Sequence, residues 1–167
     1  MRKTDSAVFR LTLAALIAAL YAAITVVLAP ISYGPMQVRI SEALTILPLF
    51  TPAAIPGLFV GCIIANIMGG AVILDVIFGS LATLIGAVGG YLLRFNRWLV
   101  PIPAIVANTV IVPQVLKYGY GVNIPISMMM IYILVGEVIG CFVLGEILAT
   151  GLLKTKKVSL PKQSSKE

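Results

Sequence analysis

The chain contains long stretches without a charged side chain, and these stretches limit what it can fold into. Leu11 to Ile31 is a run of 21 uncharged residues, long enough for one helix across a hydrocarbon core of about 30 Å. Val76 to Leu93 and Trp98 to Leu116 are two further runs, of 18 and 19 residues. Each predicts one membrane-spanning helix.

The composition supports a membrane protein over a soluble one. Of the 167 residues, 60% are hydrophobic and only 11% are charged, whereas a soluble domain of this length needs more charge to cover its surface. We therefore expect a single integral membrane domain over residues 1–153. Residues 154–167 are polar and basic, and predict a disordered cytoplasmic tail that contacts anionic lipid headgroups.

The segment from Ala43 to Leu74 is the hardest to assign. It holds 32 uncharged residues and three prolines, at positions 48, 52 and 56. One helix of that length would measure about 48 Å, and the prolines would break it. The sequence therefore predicts two short helices, Ser41 to Phe50 and Ile55 to Met68.

The distribution of basic residues selects the topology. The apolar chain from Ile126 to Leu153 predicts a final long helix, which brings the total to six spans. Six spans with a cytoplasmic N-terminus place 10 of the 12 lysines and arginines inside, whereas five spans place only 4 there. Because cytoplasmic loops are enriched in basic residues, we predict an all-α membrane protein with six transmembrane helices and both termini cytoplasmic.

Several function classes are excluded or disfavoured by the sequence. The net charge of +6 comes from clusters that flank the apolar runs, and not from a stripe that would bind nucleic acid. The chain has no histidine and no hydrolase, zinc-protease or nucleotide-binding motif, so we predict neither an enzyme nor a cofactor or metal site. Cys62 and Cys141 are expected to be buried free thiols.

Polar residues within the apolar runs are the candidate site residues. Asn66, Asp75 and Asn108 lie at or inside predicted spans, where an unpartnered polar group is costly. Glu137 falls near the predicted midplane and is a functional candidate by default. Hydrogen bonding between helices explains Asn108 and Glu137 as well as ligand binding does, and Glu146 is better explained by a structural role or a partner interface.

Arg39 and Glu42 stand three residues apart between two hydrophobic segments. At this spacing the two side chains can meet on a helical turn, and Glu42 can stabilise the N-terminus of its own helix. They form either an ion pair at a helix start or part of a site for a polar solute.

The first helix carries small residues at steps of four. Two adjacent strips of this kind let another helix approach closely, and packing within the same protein would also account for them. The strips consist of Ala14, Ala18 and Ala22, and of Ala15, Ala19 and Ala23.

The chain resembles a known class of membrane proteins. The chain is similar to an S component, which is the substrate-binding subunit of an energy-coupling factor (ECF) transporter. The shared features are six predicted spans, an alanine strip on the first helix and the lack of an ATPase in the same chain. The block "QVRISEALTILPLFTPAAIPGLFVGCIIANIMGG", followed by "DVIFGSLATLIGAVGGYL", resembles the QueT family of queuosine-precursor transporters. The resemblance runs from about Leu11 to Leu153.

The resemblance implies a function and a set of partners. A member is expected to capture a 7-deazaguanine base, such as queuine or a pre-queuosine base, from outside the cell membrane. Delivery would require a membrane coupling subunit and two ATPase subunits, and one of the alanine strips resembles the surface that meets the coupling subunit. The alternatives are an S component for a different vitamin, an ion-coupled secondary transporter that works alone, and a membrane scaffold that binds no solute.

The resemblance also suggests roles for the candidate residues. A carboxylate can accept from the ring N–H and the exocyclic amine of such a base, while its carbonyl needs a donor and its flat faces suit an aromatic ring. In a member of this family, the acids would accept hydrogen bonds from the base and Arg39 would donate one to its carbonyl. The amide side chains would contact the edge of the base, and the Tyr33 ring would cover its face. The full set is Tyr33, Arg39, Glu42, Asn66, Asp75, Asn108, Gln114 and Glu137.

Overall fold

The part of the chain that the structure describes is built entirely from helices. The structure is a computed structural model, and it describes residues 3–33 and 39–155. The all-helical prediction is confirmed for these residues. The elements are α1 (Lys3–Val27), α2 (Ala29–Ser32), a 3₁₀ segment (Ile40–Leu49), α3 (Ala54–Met68), α4 (Ile73–Leu92), a short 3₁₀ turn (Arg97–Leu99), α5 (Ile102–Gly119), α6 (Ile126–Glu137), a π segment (Val138–Leu144) and α7 (Gly145–Lys154).

Four helical stretches are long and apolar enough to cross a membrane. They are Ala7–Val27, Ile73–Leu92, Arg97–Gly119 and Ile126–Lys154. The 3₁₀ segment and α3 are shorter apolar helices, and their bounds match the two predicted short helices to within one residue at each end. The count of six spans and the cytoplasmic position of the termini stay predictions.

The first short helix differs in kind from the expected α-helix. Its backbone bonds close after three residues, as when the Glu42 N–H donates to the Arg39 carbonyl at 3.0 Å. A 3₁₀ helix rises about 2.0 Å per residue. The ten residues of this segment therefore span a greater length than ten residues of α-helix would. Ser41, Glu42 and Thr45 on this segment are almost completely buried. The segment therefore carries polar side chains into the interior of the bundle.

Helices α1 and α3 approach each other through glycines. A Cβ placed on Gly57 would lie 2.8 Å from the carbonyl oxygen of Ala14, and one on Gly61 would lie 2.9 Å from that of Ala18. Ala14, Ala18 and Ala22 are buried on this face of α1. The first alanine strip therefore packs inside the chain and is not open to a partner.

The second alanine strip faces away from the bundle. Ala15, Ala19 and Ala23 are all exposed. Of the two strips that the sequence offered as a partner surface, only this one is free to contact another protein.

The final helix is continuous from Ile126 to Lys154, as predicted, but it contains a π segment that the sequence did not indicate. Within that segment, a Cβ on Gly140 would lie 2.8 Å from the carbonyl oxygen of Arg39. The wider turn thus packs directly against the start of the 3₁₀ segment. Most of the predicted disordered tail, residues 156–167, lies outside the described residues.

The α1–α3 contact predicts the effect of adding one methyl group. Gly61→Ala should lower the free energy of unfolding by about 1–3 kcal/mol, because the new Cβ overlaps backbone atoms that cannot move independently. Gly151→Ala is the matched control, since a Cβ there meets no atom within 4 Å. Thermal unfolding of both variants in detergent tests this, and equal melting temperatures would contradict the packing described.

Candidate functional site

The bundle encloses two neighbouring groups of buried polar side chains. The first, which we call the Arg39–Asp75 cluster, consists of Arg39, Asn66 and Asp75. The second, the Glu42–Glu137 cluster, consists of Glu42, Glu137 and Cys141. All six residues are buried, and most of the other buried side chains are apolar.

Arg39 and Asp75 form a buried charged pair across two elements. Arg39 caps the 3₁₀ segment and is 4% exposed, while Asp75 lies in the first turn of α4 and is 1% exposed. Arg39 Nη2 lies 3.9 Å from Asp75 Oδ2, and Arg39 Nε donates to the Ser32 carbonyl at 3.5 Å. The guanidinium carbon also lies 5.5 Å from the centre of the Tyr33 ring, a distance at which a cation is attracted to an aromatic face.

Asn66 joins this pair from the end of α3. Its Nδ2 donates to the Asp75 backbone carbonyl at 3.1 Å and lies 3.7 Å from Cys62 Sγ. Gly79 makes room for the arrangement, because a Cβ there would lie 2.6 Å from Asp75 Oδ1 and 3.3 Å from Asn66 Nδ2. A side chain at position 79 would therefore displace the carboxylate.

The Arg39–Asp75 cluster retains hydrogen-bonding groups without partners among the described residues. Arg39 Nη2, Asn66 Oδ1 and Asp75 Oδ1 are buried and make no hydrogen bond, and neither does the nearby Ser80 Oγ. Leaving such a group unpaired costs about 1–3 kcal/mol. One donor and two acceptors held together in this way form a surface suited to a polar ligand.

The Glu42–Glu137 cluster contains two carboxylates bridged by a thiol. The Tyr21 hydroxyl donates a short hydrogen bond to Glu42 Oε1. Cys141 Sγ lies 3.0 Å from Glu137 Oε2 and 3.9 Å from Glu42 Oε2, and Asn108 neighbours the Glu137 carboxylate. The ligand atoms of the three members lie within 4.8 Å of one another, a grouping in which a metal ion would find three possible ligands.

Of the two alternatives for Arg39 and Glu42, the ion pair between them is not formed among the described residues. The guanidinium makes its ion pair with Asp75, and the Glu42 carboxylate is instead bonded by Tyr21 and approached by Cys141. The reason is that Arg39 precedes the 3₁₀ segment in an extended conformation, so its side chain does not follow the helical spacing of three residues.

Two tyrosines contact the Arg39–Asp75 cluster, Tyr33 from the end of α2 and Tyr120 from the end of α5. Tyr33 donates to the Ala65 carbonyl at 2.6 Å, and its ring fills the space that a Cβ on Gly69 would occupy. Tyr120 donates to Asp75 Oδ2 at 3.0 Å. Its burial and the nearby Asp75 carboxylate raise the pKa of Tyr120 to about 12, so the hydroxyl stays protonated as a donor.

The structure brings together most of the predicted site residues. Arg39, Asn66 and Asp75 form one cluster with Tyr33 beside it, and Glu42 and Glu137 belong to the other with Asn108 beside it. Gln114 is the exception.

Gln114 is exposed and lines a lateral apolar groove of about 360 Å³ between α4 and α5. At the opposite end of the bundle, Glu146 accepts hydrogen bonds from Arg97. The structure thus gives Glu146 the structural partner that the sequence favoured.

Sequence reasoning missed Tyr21, Tyr120 and Cys141. Tyr21 follows Ala18 by three residues and Ala14 by seven, and this spacing on the face of the buried alanines was an available signal. Cys141 follows Glu137 by one helical turn, which places the two side chains on the same face. Nothing in the sequence indicated that Tyr120 would reach Asp75, 45 residues away.

Comparisons with known proteins agree on one family. A family model described as "QueT transporter" matches residues 11–154. The chain is also similar to the "Queuosine precursor transporter QueT" of Lactococcus lactis subsp. cremoris (strain MG1363), with 41% identity over 86 residues. That match covers 50% of this chain and 50% of the relative, so it spans only about half of the relative's length. No solved structure shows significant similarity to the chain.

Removal of the Tyr21 hydroxyl tests how much its hydrogen bond to Glu42 stabilises the fold. Tyr21→Phe should destabilise the fold by about 1–3 kcal/mol, because it leaves a buried carboxylate oxygen without its donor. Tyr118→Phe removes the same atom at a residue that is 72% exposed and should be neutral. Thermal unfolding measures both, and an unaffected Tyr21→Phe protein would show that the Glu42 contact is unimportant to the fold.

Proposed function

Because the chain belongs to the QueT transporter family, we propose that it binds a queuosine precursor and acts as the substrate-binding subunit of an ECF importer. Its similarity to a protein named as a queuosine precursor transporter supports the choice of substrate. The protein would take up a 7-deazaguanine base from outside the cell and pass it inward with the help of partner subunits.

The observation that carries this proposal is the set of unpaired atoms in the Arg39–Asp75 cluster. Asp75 Oδ1 and Asn66 Oδ1 are free acceptors, and Arg39 Nη2 is a free donor. The edge of a deazaguanine base presents a ring N–H and an amine as donors beside a carbonyl as an acceptor. The base satisfies all three buried groups at once, with its N–H groups on the two acceptors and its carbonyl on Arg39.

Tyr33 supplies the aromatic part of this site. Its ring already lies within reach of the Arg39 guanidinium and at the edge of the cluster. A flat base stacks favourably on such a ring. In this proposal, Tyr33 covers the bound base while Tyr120 holds the Asp75 carboxylate in position through its hydrogen bond.

Energy for transport would come from partners. The sequence contains no nucleotide-binding loop, so an ATP-driven cycle needs two ATPase subunits and a membrane coupling subunit. The exposed strip of Ala15, Ala19 and Ala23 is the surface on α1 that a coupling helix would approach closely.

Binding by the chain alone is the direct test of the substrate site. Asp75→Asn should weaken the binding of 7-deazaguanine about 10- to 100-fold, because the carboxylate that accepts one N–H of the base and pairs with Arg39 is replaced by a neutral amide. Asn123→Ala, at an exposed position before α6, is the control and should bind as the original chain does. Calorimetry on the purified proteins gives both affinities.

Two results would contradict the proposal at different levels. If no deazaguanine binds the original chain, the assigned substrate is wrong. If it binds, but uptake into vesicles follows a proton or sodium gradient without ATPase subunits, the protein is a secondary transporter. The proposal predicts uptake only when the coupling subunit, the ATPases and ATP are all present.

A further inference from the structure

A second polar cavity lies at the end of the bundle that the proposed function does not use. It holds about 420 Å³ between the short 3₁₀ turn that follows α4 and the final helix α7. Asp75 lies in the first turn of α4, so the length of α4 separates this cavity from the Arg39–Asp75 cluster. The residues that line the cavity are Arg97, Trp98, Glu146, Ile147, Thr150, Gly151 and Lys154.

The Glu146 carboxylate lacks one hydrogen-bond donor in this cavity. Its Oε2 accepts from Arg97 Nε at 2.9 Å and also from Arg97 Nη2, and the same Nη2 donates to Thr150 Oγ1 at 3.0 Å. The side chain of Glu146 is only 10% exposed. Its Oε1 is buried and makes no hydrogen bond among the described residues, and a buried acceptor is costly to leave unpaired. A donor held in the cavity can supply the missing bond.

The cavity also has an excess of positive charge. Two bases, Arg97 and Lys154, and one acid, Glu146, line it, so the formal charges leave one positive charge over. Arg97 is paired with Glu146, whereas Lys154 is exposed and makes no ion pair with any described residue. A ligand that complements the cavity therefore carries one negative charge together with a hydrogen-bond donor.

The cavity lies where two apolar helices end. Arg97 is the first residue of one candidate membrane span and Lys154 is the last residue of another. The Trp98 ring lies between the guanidinium carbon of Arg97, 4.9 Å away, and the Phe142 ring, 6.0 Å away, and both Trp98 and Ile147 remain exposed. Tryptophan and basic side chains are typical of the level of the lipid headgroups. This position favours a membrane lipid as the ligand.

We propose that this cavity binds the headgroup of an anionic phospholipid that carries a hydroxyl group, of the phosphatidylglycerol type. The phosphodiester carries the one negative charge and lies against Lys154 and Arg97, since basic side chains bind phosphate oxygens strongly. A headgroup hydroxyl donates to Glu146 Oε1, and the exposed Trp98 and Ile147 contact the first methylene groups of the acyl chains. The inference is independent of the base assigned to the Arg39–Asp75 cluster.

Thermal unfolding of the purified full chain in detergent tests the headgroup selection. Phosphatidylglycerol is compared with phosphatidylcholine of the same acyl chains, which has no net charge and no hydroxyl donor. We expect phosphatidylglycerol, at tenfold excess over its dissociation constant, to raise the melting temperature by at least about 3 °C. Phosphatidylcholine should change it by less than about 1 °C at the same concentration. Equal effects of the two lipids, or no effect of phosphatidylglycerol, would overturn the proposal.

A soluble probe separates a lipid from a free phosphate ester. Glycerol phosphate has a phosphate and hydroxyl groups but no acyl chains, and it should leave the melting temperature unchanged at the same concentration. Stabilisation by glycerol phosphate equal to that by the lipid would identify a site for a soluble phosphate ester, and would overturn the assignment to a lipid.

Two variants locate the lipid in the cavity. Lys154→Gln removes the unpaired charge and should reduce the phosphatidylglycerol shift by at least about half. Lys117→Gln is the matched control, because it removes the same charge in the last turn of α5, at the opposite end of that helix, and should keep the full shift. Gly151→Leu should abolish the shift, since a Cβ at position 151 meets no atom within 4 Å and the longer side chain occupies the cavity.

The lipid-free melting temperature of each variant shows whether its fold is intact. A full phosphatidylglycerol shift in either Lys154→Gln or Gly151→Leu would place the lipid elsewhere and overturn the proposal. If Gly151→Leu does not fold, Lys154→Gln decides the question by the same comparison with Lys117→Gln.

Discussion

The structure depends on holding ionisable groups inside an apolar bundle. A buried carboxylate is costly unless a charge or several donors compensate it, and this chain buries three of them around one arginine. The pair of Arg39 with Asp75 is the one ion pair in that interior among the described residues. The unpaired acceptors and donor in that interior are the groups to which the proposed function assigns the substrate.

Close helix packing makes that interior possible. Glycines at positions 57 and 61 bring α3 against α1, and Gly140 brings the π segment against the 3₁₀ segment. These contacts bring the helix backbones close together, and apolar side chains such as Ile17 and Leu58 pack beside them. Small residues at helix interfaces serve this purpose widely in membrane proteins.

Much of the fold could be predicted from the sequence because charge and proline are scarce in it. Charge-free runs defined the long helices, and the prolines between Ala43 and Leu74 separated the 3₁₀ segment from α3. The type of the first short helix and the π segment could not be predicted, since both arise from tertiary packing. Gly140 packs there against the Arg39 carbonyl, a contact that no periodicity reveals.

The members of the candidate site that the sequence predicts are Tyr33 and the ionisable and amide residues that interrupt apolar runs. Arg39, Asp75 and Glu137 are conspicuous in apolar surroundings, whereas Tyr21 and Tyr120 are ordinary residues until the fold brings them to the acids. The alanine strips show the same limit. Both have the same spacing, and only the close approach of α3 decides that one of them is internal.

The central claim is that the unpaired groups of the Arg39–Asp75 cluster receive the base. An experimental structure of the chain with bound 7-deazaguanine tests it most directly. The account predicts the base edge within hydrogen-bonding distance of Asp75 Oδ1, Asn66 Oδ1 and Arg39 Nη2. A base bound elsewhere, such as in the lateral groove beside Gln114, would contradict it.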